Sequence, residues 1–118
     1  NNLHLPASLT HLPKKLSYVG GRLDTRRTTI QDLPETLTHV GGDLLLNQTI
    51  SRLPNNIQYI GGALNLYFND VMKQIPDSLV SISRLILNEK WEKTDKYTKL
   101  IEYVEKQKIV KEAVQFGI

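Results

Sequence analysis

The chain has 118 residues, of which 40% are hydrophobic and 23% charged, and a formal net charge of +3 from 15 basic and 12 acidic side chains. That length bounds it to one domain with enough apolar residues for a core, and the mild, mixed-sign charge reads as solubility and not as a nucleic-acid footprint. Without cysteine there is no disulfide framework and no thiolate metal site, and no apolar run approaches a membrane span or a signal peptide.

Taken in order, residues 1–13 hold Leu3, Leu5, Leu9 and Leu12. Asn2-Leu3-His4-Leu5-Pro6 reads as the tail of an earlier repeat, and Leu9-Thr10-His11-Leu12 echoes Leu37-Thr38-His39-Val40 before Pro13 cuts it short. The expectation here is a short N-terminal turn, or the end of a longer array. From Pro13 onward the chain repeats itself. Pro13 to Pro34 is 21 residues, Pro34 to Pro54 is 20, and Pro54 to Pro76 is 22. Gly20-Gly21, Gly41-Gly42 and Gly61-Gly62 recur in step, and after each pair comes a period-2 dyad: Leu23/Thr25, Leu44/Leu46 and Leu64/Leu66. Thr28, Thr49 and Asn69 follow at matching places. One such unit is too poor in apolar residues to bury a core alone; stacked units place each apolar position over its equivalent.

Each part of the unit has a physical job. The alternation in Arg22-Leu23-Asp24-Thr25-Arg26 suits a half-buried strand, so short parallel strands are expected near 22–26, 43–47, 63–67 and 84–88. Proline belongs in the extended or turning return segment, away from the ladder. Gly-Gly marks a tight corner, where a residue with φ > 0 is expected. The Thr28/Thr49/Asn69 column is an inward polar ladder that bonds backbone groups left unpaired by the turn.

The phrase LP-x-x-L-x-x-VGG-x-L-x-L-x-x-T-x-I-x-x-LP resembles a leucine-rich-repeat variant common in bacterial and phage proteins, over roughly residues 3–88. More loosely, it is similar to the Leu-Pro repeats of bacterial effectors that carry a ubiquitin-ligase domain. The resemblance implies an α/β repeat solenoid of about four turns over 1–88; a solenoid buries its apolar residues as a thin strip, so an elongated shape is expected, and the change of pattern after Asn88 adds a C-terminal helical cap over 89–118. The implied function is protein binding. A phage version would bind or inhibit a host protein such as a defence enzyme, in the host cytoplasm. The alternatives are a structural or virion segment, and the substrate-recognition part of a larger effector. Several departures stand out: Thr25 takes an aliphatic place, the second repeat lacks one residue between Thr49 and Ile50, the third has extra residues around Asp70–Lys73, and the fourth has lost Gly-Gly.

After Asn88 the pattern changes to Lys and Glu without proline. Thr94 is the expected N-cap, with Asp95 in the first turn. Tyr97, Leu100, Ile101 and Val104 keep helical spacing, and Gly117 suits a stop. The simplest role is a lid on the last repeat, with Trp91 at the junction. A second apolar set, Ile109, Val110, Ala113 and Val114, falls opposite the Tyr97 face on a straight helix. Either the helix breaks near Gln107 and both halves pack on the repeat, or Ile109, Val110 and Val114 form a second interface for a partner or for homo-oligomerisation.

No catalytic constellation is expected. His4, His11 and His39 lack further metal ligands, their column being shared with Tyr18, Tyr59 and Ser81. Gly-Gly recurs without a following helix or Lys-Ser/Thr, so it is a corner and not a phosphate cradle. Lys14, Lys15, Arg22, Arg26 and Arg27 form the best nucleic-acid candidate, but lack interleaved aromatics and lie near Asp24 and Asp32, which favours a solvated face. No cofactor or metal is implied.

The outward strand positions are the candidate partner-binding surface. They form three columns: Arg22, Asp43, Ala63, Arg84; Asp24, Leu45, Asn65, Ile86; and Arg26, Asn47, Tyr67, Asn88. Mixed charge, an aromatic anchor and adaptable amides are what a protein-binding face carries.

Overall fold

The structure, a computed structural model, describes residues 5, 8–69, 71–72 and 74–117. Four turns open alike. The carbonyls of Pro13, Pro34, Pro54 and Pro76 accept from the backbone N–H of Leu16, Leu37, Ile57 and Leu79 at 3.0–3.2 Å. Each Leu-Pro therefore starts a tight turn, and the apolar residue three places on is driven inward. A short strand follows on either side of each Gly-Gly pair: β1 (Tyr18–Val19) and β2 (Leu23–Asp24), β3 (His39–Val40) and β4 (Leu44–Leu45), β5 (Tyr59–Ile60) and β6 (Ala63–Asn65). The fourth turn, without Gly-Gly, runs straight through as β7 (Ile82–Leu87). There Ser83 stands beside the third glycine pair and its hydroxyl donates to the Gly61 carbonyl at 2.7 Å.

Strands from successive turns pair in parallel and in register, Leu23 with Leu44, Leu44 with Leu64, and Leu64 with Leu85. The result is a three-stranded sheet, β1-β3-β5, and a five-stranded sheet, β2-β4-β6-β7-β8. The α/β architecture thus comprises two parallel sheets and one helix among the described residues. Equivalent leucines and isoleucines of each turn meet between the sheets and the return segments, where Leu23, Leu37, Leu44, Ile60, Leu64 and Leu85 are fully buried.

The glycine pairs do not take the left-handed backbone expected of them. The only described glycine with φ > 0 is Gly117, at 88°. What the corners require is room. A Cβ on Gly41 would collide with the Gly20 carbonyl oxygen, and one on Gly61 with that of Gly41. The turns stack so closely at this edge that backbone lies on backbone, which only glycine permits.

The C-terminal segment departs further from expectation. A 3-10 turn (Glu89–Trp91) leads to helix α1 (Thr98–Lys106). Thr94 is not its N-cap; the Thr94 hydroxyl donates back to the Trp91 carbonyl at 2.7 Å, and the helix begins after Tyr97, which has no side-chain cap. Leu100 and Val104 are its buried residues, and the buried Tyr97 ring anchors its start through a hydrogen bond from its hydroxyl to the Asn69 carbonyl at 3.1 Å. The helix stops at Lys106, beside Gln107. Lys108, at φ 56°, enters the left-handed region, and its N–H reaches Glu105 O while Ile109 N–H reaches Val104 O. Those two bonds are the paired closure of a Schellman stop.

Beyond the stop the chain is not helical. Val110–Phe116 forms strand β8, parallel to β7, with Arg84 beside Ala113 and Ile86 beside Gln115. One extra residue of β8 is accommodated between the Ile82 and Arg84 pairs. The helix is therefore the crossover that a parallel pair requires. Val110, Val114 and Phe116 pack on the core while Lys111, Glu112 and Ala113, around the extra residue, are exposed, so the segment is used as a strand despite its helical spacing.

The expectation of an elongated particle is also not met. The extents are 36 × 25 × 21 Å and the radius of gyration is 13.3 Å, an ordinary globular value for this length. Five strands spaced ~4.8 Å apart stack to only about 20 Å. The expected tail of an earlier repeat, Asn2 to Pro6, lies outside the described residues apart from Leu5, as do His4 and the extra residues Asp70 and Lys73.

Candidate functional site

The outward face of the five-stranded sheet is a floor with a charged border. Its floor is more deeply set than an open strand face should be: Leu45 is 5% exposed, Ile86 6%, Ala63 2% and Asn65 7%. None of these four belongs to the main apolar core. They are nonetheless almost inaccessible, so the open part of the face is its border.

The border is pre-set by hydrogen bonds. Asp24 accepts from Arg26 at Nε (2.9 Å), Nη2 (2.7 Å) and the backbone N–H (3.0 Å). The Arg26 side-chain hydrogen bonds hold the Asp24 carboxyl below its usual range, against the opposing effect of partial burial. Arg22 lies 3.6 Å from Asp43, whose other oxygen accepts the Ala63 N–H at 2.8 Å. Arg84 reaches Gln115 of β8 at 3.4 Å, so β8 widens the face by one strand. Along the third column the Tyr67 hydroxyl donates to Glu89 at 3.1 Å, which raises the tyrosine pKa. The Tyr67 ring meets Phe68 edge-on at 4.9 Å between centroids. Asn88 donates to the Tyr67 carbonyl at 3.1 Å and accepts from Lys90 N–H, capping the 3-10 turn.

Asn47 is the exception among the expected face residues. Its side chain points inward, donating to the carbonyls of Thr28 (3.1 Å) and Ile30 (2.9 Å). The inward polar ladder is therefore Thr28, Asn47 and Asn69, with Thr49 displaced to the surface side, where its hydroxyl still donates to Ile30 O at 2.8 Å. The cause is the residue missing from the second repeat. The chain there turns back early, and an amide two positions upstream reaches what a longer turn would have supplied.

Of the second candidate interface, Ile109 is buried at 2% exposure and Val110 and Val114 pack against the core. No exposed helical stripe exists, because the segment is a strand; what it leaves open is its outer edge. Of the basic cluster, Arg22 and Arg26 are engaged by Asp43 and Asp24. His39 lies between the rings of Tyr18 (6.4 Å) and Tyr59 (6.0 Å) on the three-stranded sheet, and His11 meets Thr10 at 3.1 Å. Among the described residues no three His, Cys, Asp or Glu side chains gather in a metal-binding group, and no helix is long and apolar enough to cross a membrane.

Sequence reasoning did not single out Phe68, which is 52% exposed. The ring lies under the Arg26 guanidinium, 5.8 Å from its centroid, although the two residues belong to turns one and three. The deletion in the second repeat was the available signal, because a short turn lets its neighbours meet across it. Comparison with protein-family models, with curated proteins and with solved structures finds no match.

Proposed function

We propose that this chain is a non-enzymatic protein-interaction module, a short leucine-rich-repeat solenoid with a C-terminal βαβ closure, which binds a protein through the open face of the five-stranded sheet. The observation that carries this reading is the accessible border of that face, where ion-paired and hydrogen-bonded side chains stand beside the Tyr67 and Phe68 rings. Such a border loses little side-chain freedom on binding, and pre-ordering is what turns contact area into affinity. Tyr67 and Phe68 supply the aromatic anchors that interfaces favour. By the resemblance of its repeats, the partner class is a host protein bound by a phage or bacterial product.

The test is capture of a partner by the wild type and by Tyr67→Ala/Arg84→Glu, both partly or fully exposed positions whose change leaves the core intact. A specific protein held by the wild type and lost by the folded double variant supports the reading. Equal capture by both moves the site off this face. Leu45→Asp is a poor probe, because it would bury a charge.

Self-association is the second reading, and strand β8 favours it. It is the last strand of its sheet and is seven residues long. An edge of that length is a template for pairing with another chain. A monomer by sedimentation at high protein concentration would remove this alternative.

A further inference from the structure

The one-residue deletion in the second repeat has a consequence on the surface. From Thr28 to Pro34 the chain has six steps, from Asn69 to Pro76 seven, and from Thr49 to Pro54 only five. The middle turn is thus set back between its neighbours, and a notch of about 510 Å³ opens above it. Its lining draws Arg27 and Thr29 from the first turn, Gln48 from the second and Phe68 from the third.

The groups in this notch divide cleanly. Arg26 is committed to Asp24 and roofs Phe68, so the charges of that pair cancel. Thr28, Asn47 and Thr49 are committed to the inward ladder. Arg27, Thr29 and Gln48 make no hydrogen bond or ion pair among the described residues, and all three are exposed. What remains is one uncompensated guanidinium, a hydroxyl and a carboxamide able to donate, beside an aromatic ring that is half open to solvent. An anionic acceptor complements the donors, and the planar fork of arginine matches a carboxylate. The ring complements an apolar neighbour of that acid.

We propose that the notch above the short second turn is a specificity pocket for an acidic peptide segment of the partner, taking a glutamate or aspartate carboxylate on Arg27, Thr29 and Gln48 while the adjoining apolar residue packs on Phe68. This rests on the protein-binding reading given above and names the chemistry of the partner. The pocket adds selectivity for acidic over neutral segments, because the Arg27 charge has no ion-pair partner among the described residues. Its electrostatic share weakens with salt.

The test is a titration of the whole chain, followed by amide chemical shifts, with a capped peptide of alternating glutamate and leucine. The same peptide with glutamine for glutamate, and inorganic phosphate, are the comparisons. The glutamate peptide should move the amides of Arg27, Thr29, Gln48 and Phe68 and the glutamine peptide should not. Arg27→Gln, an exposed change, should weaken binding about tenfold, and Phe68→Ala should weaken it while leaving the fold intact. Equal shifts with the glutamine peptide, shifts centred on Lys14, Lys15 or Arg84, or an affinity unmoved by Arg27→Gln would each overturn the proposal. So would phosphate alone reproducing both the shifts and the affinity, which would make the notch a simple anion site. A silent notch beside partner capture lost in Tyr67→Ala/Arg84→Glu overturns the notch and leaves the interaction reading standing; failure in both overturns both.

Discussion

Thr25 Oγ1 lies 3.0 Å from Asn47 Oδ1, to which it donates, and accepts the Asn47 backbone N–H at 3.1 Å, with both residues buried. Two oddities of the repeat meet in this pair. Thr25 stands where the pattern calls for an aliphatic residue, and Asn47 has turned inward because its repeat is one residue short. Each makes the other tolerable: the inward amide needs a polar neighbour, and the hydroxyl needs a partner in an otherwise apolar strip.

This coupling predicts non-additive stability. Thr25→Val should cost about 1–3 kcal/mol, because it strands the Asn47 amide oxygen and N–H in the interior. Asn47→Ala should cost at least as much, since it also frees the Thr28 carbonyl, while the Ile30 carbonyl keeps the Thr49 hydroxyl. The double variant should be less damaging than the sum by about 1 kcal/mol. Urea denaturation of the four proteins checks this. Additivity to within about 0.5 kcal/mol would mean the two departures are independent.

Gly41 and Gly61 are predicted to tolerate no side chain of any conformational preference. Gly41→Ala should cost about 3 kcal/mol or more, because its Cβ would meet the Gly20 carbonyl and backbone cannot move aside cheaply. Gly41→Asn should be no better. Asparagine accepts left-handed backbone readily, so a rescue by asparagine over alanine in thermal melts would show that φ, and not space, is the constraint.

Lys108 is a lysine in a place made for glycine. Lys108→Gly should stabilise the chain by about 0.5–1 kcal/mol, the left-handed strain removed being partly offset by the freedom glycine adds to the unfolded state. The melting temperature should rise by several degrees, and Lys108→Ala should bring no such gain. An unchanged or lower melting point for the glycine variant would mean the lysine side chain contributes more at this stop than its backbone costs.

The stacking of the turns was legible in the spacing alone. Prolines and glycine pairs recurring every 20–22 residues leave few ways to bury the intervening leucines except one above the next, and the observed register follows those positions. The C-terminal strand was less legible. Val110 to Phe116 carries both a helical and an alternating reading, and a window of seven residues cannot separate them. What decided between them was the open edge of β7, which a strand can pair and a helix cannot.

The candidate face shows the same division. Its columns were set by alternation, so Arg22, Asp24, Arg26, Asp43, Tyr67 and Arg84 stand where a period of two puts them. Asn47 does not, and Phe68 joins from outside the strand, because both respond to the length of the turn between strands. Periodic contacts repeat a local rule at each turn, and a local rule can be read from the chain. The position of Arg26 over Phe68, the inward swing of Asn47 and the choice of strand over helix at β8 each depend on which backbone groups a neighbouring turn leaves unpaired or uncovered. Those groups are known only once the turns are stacked.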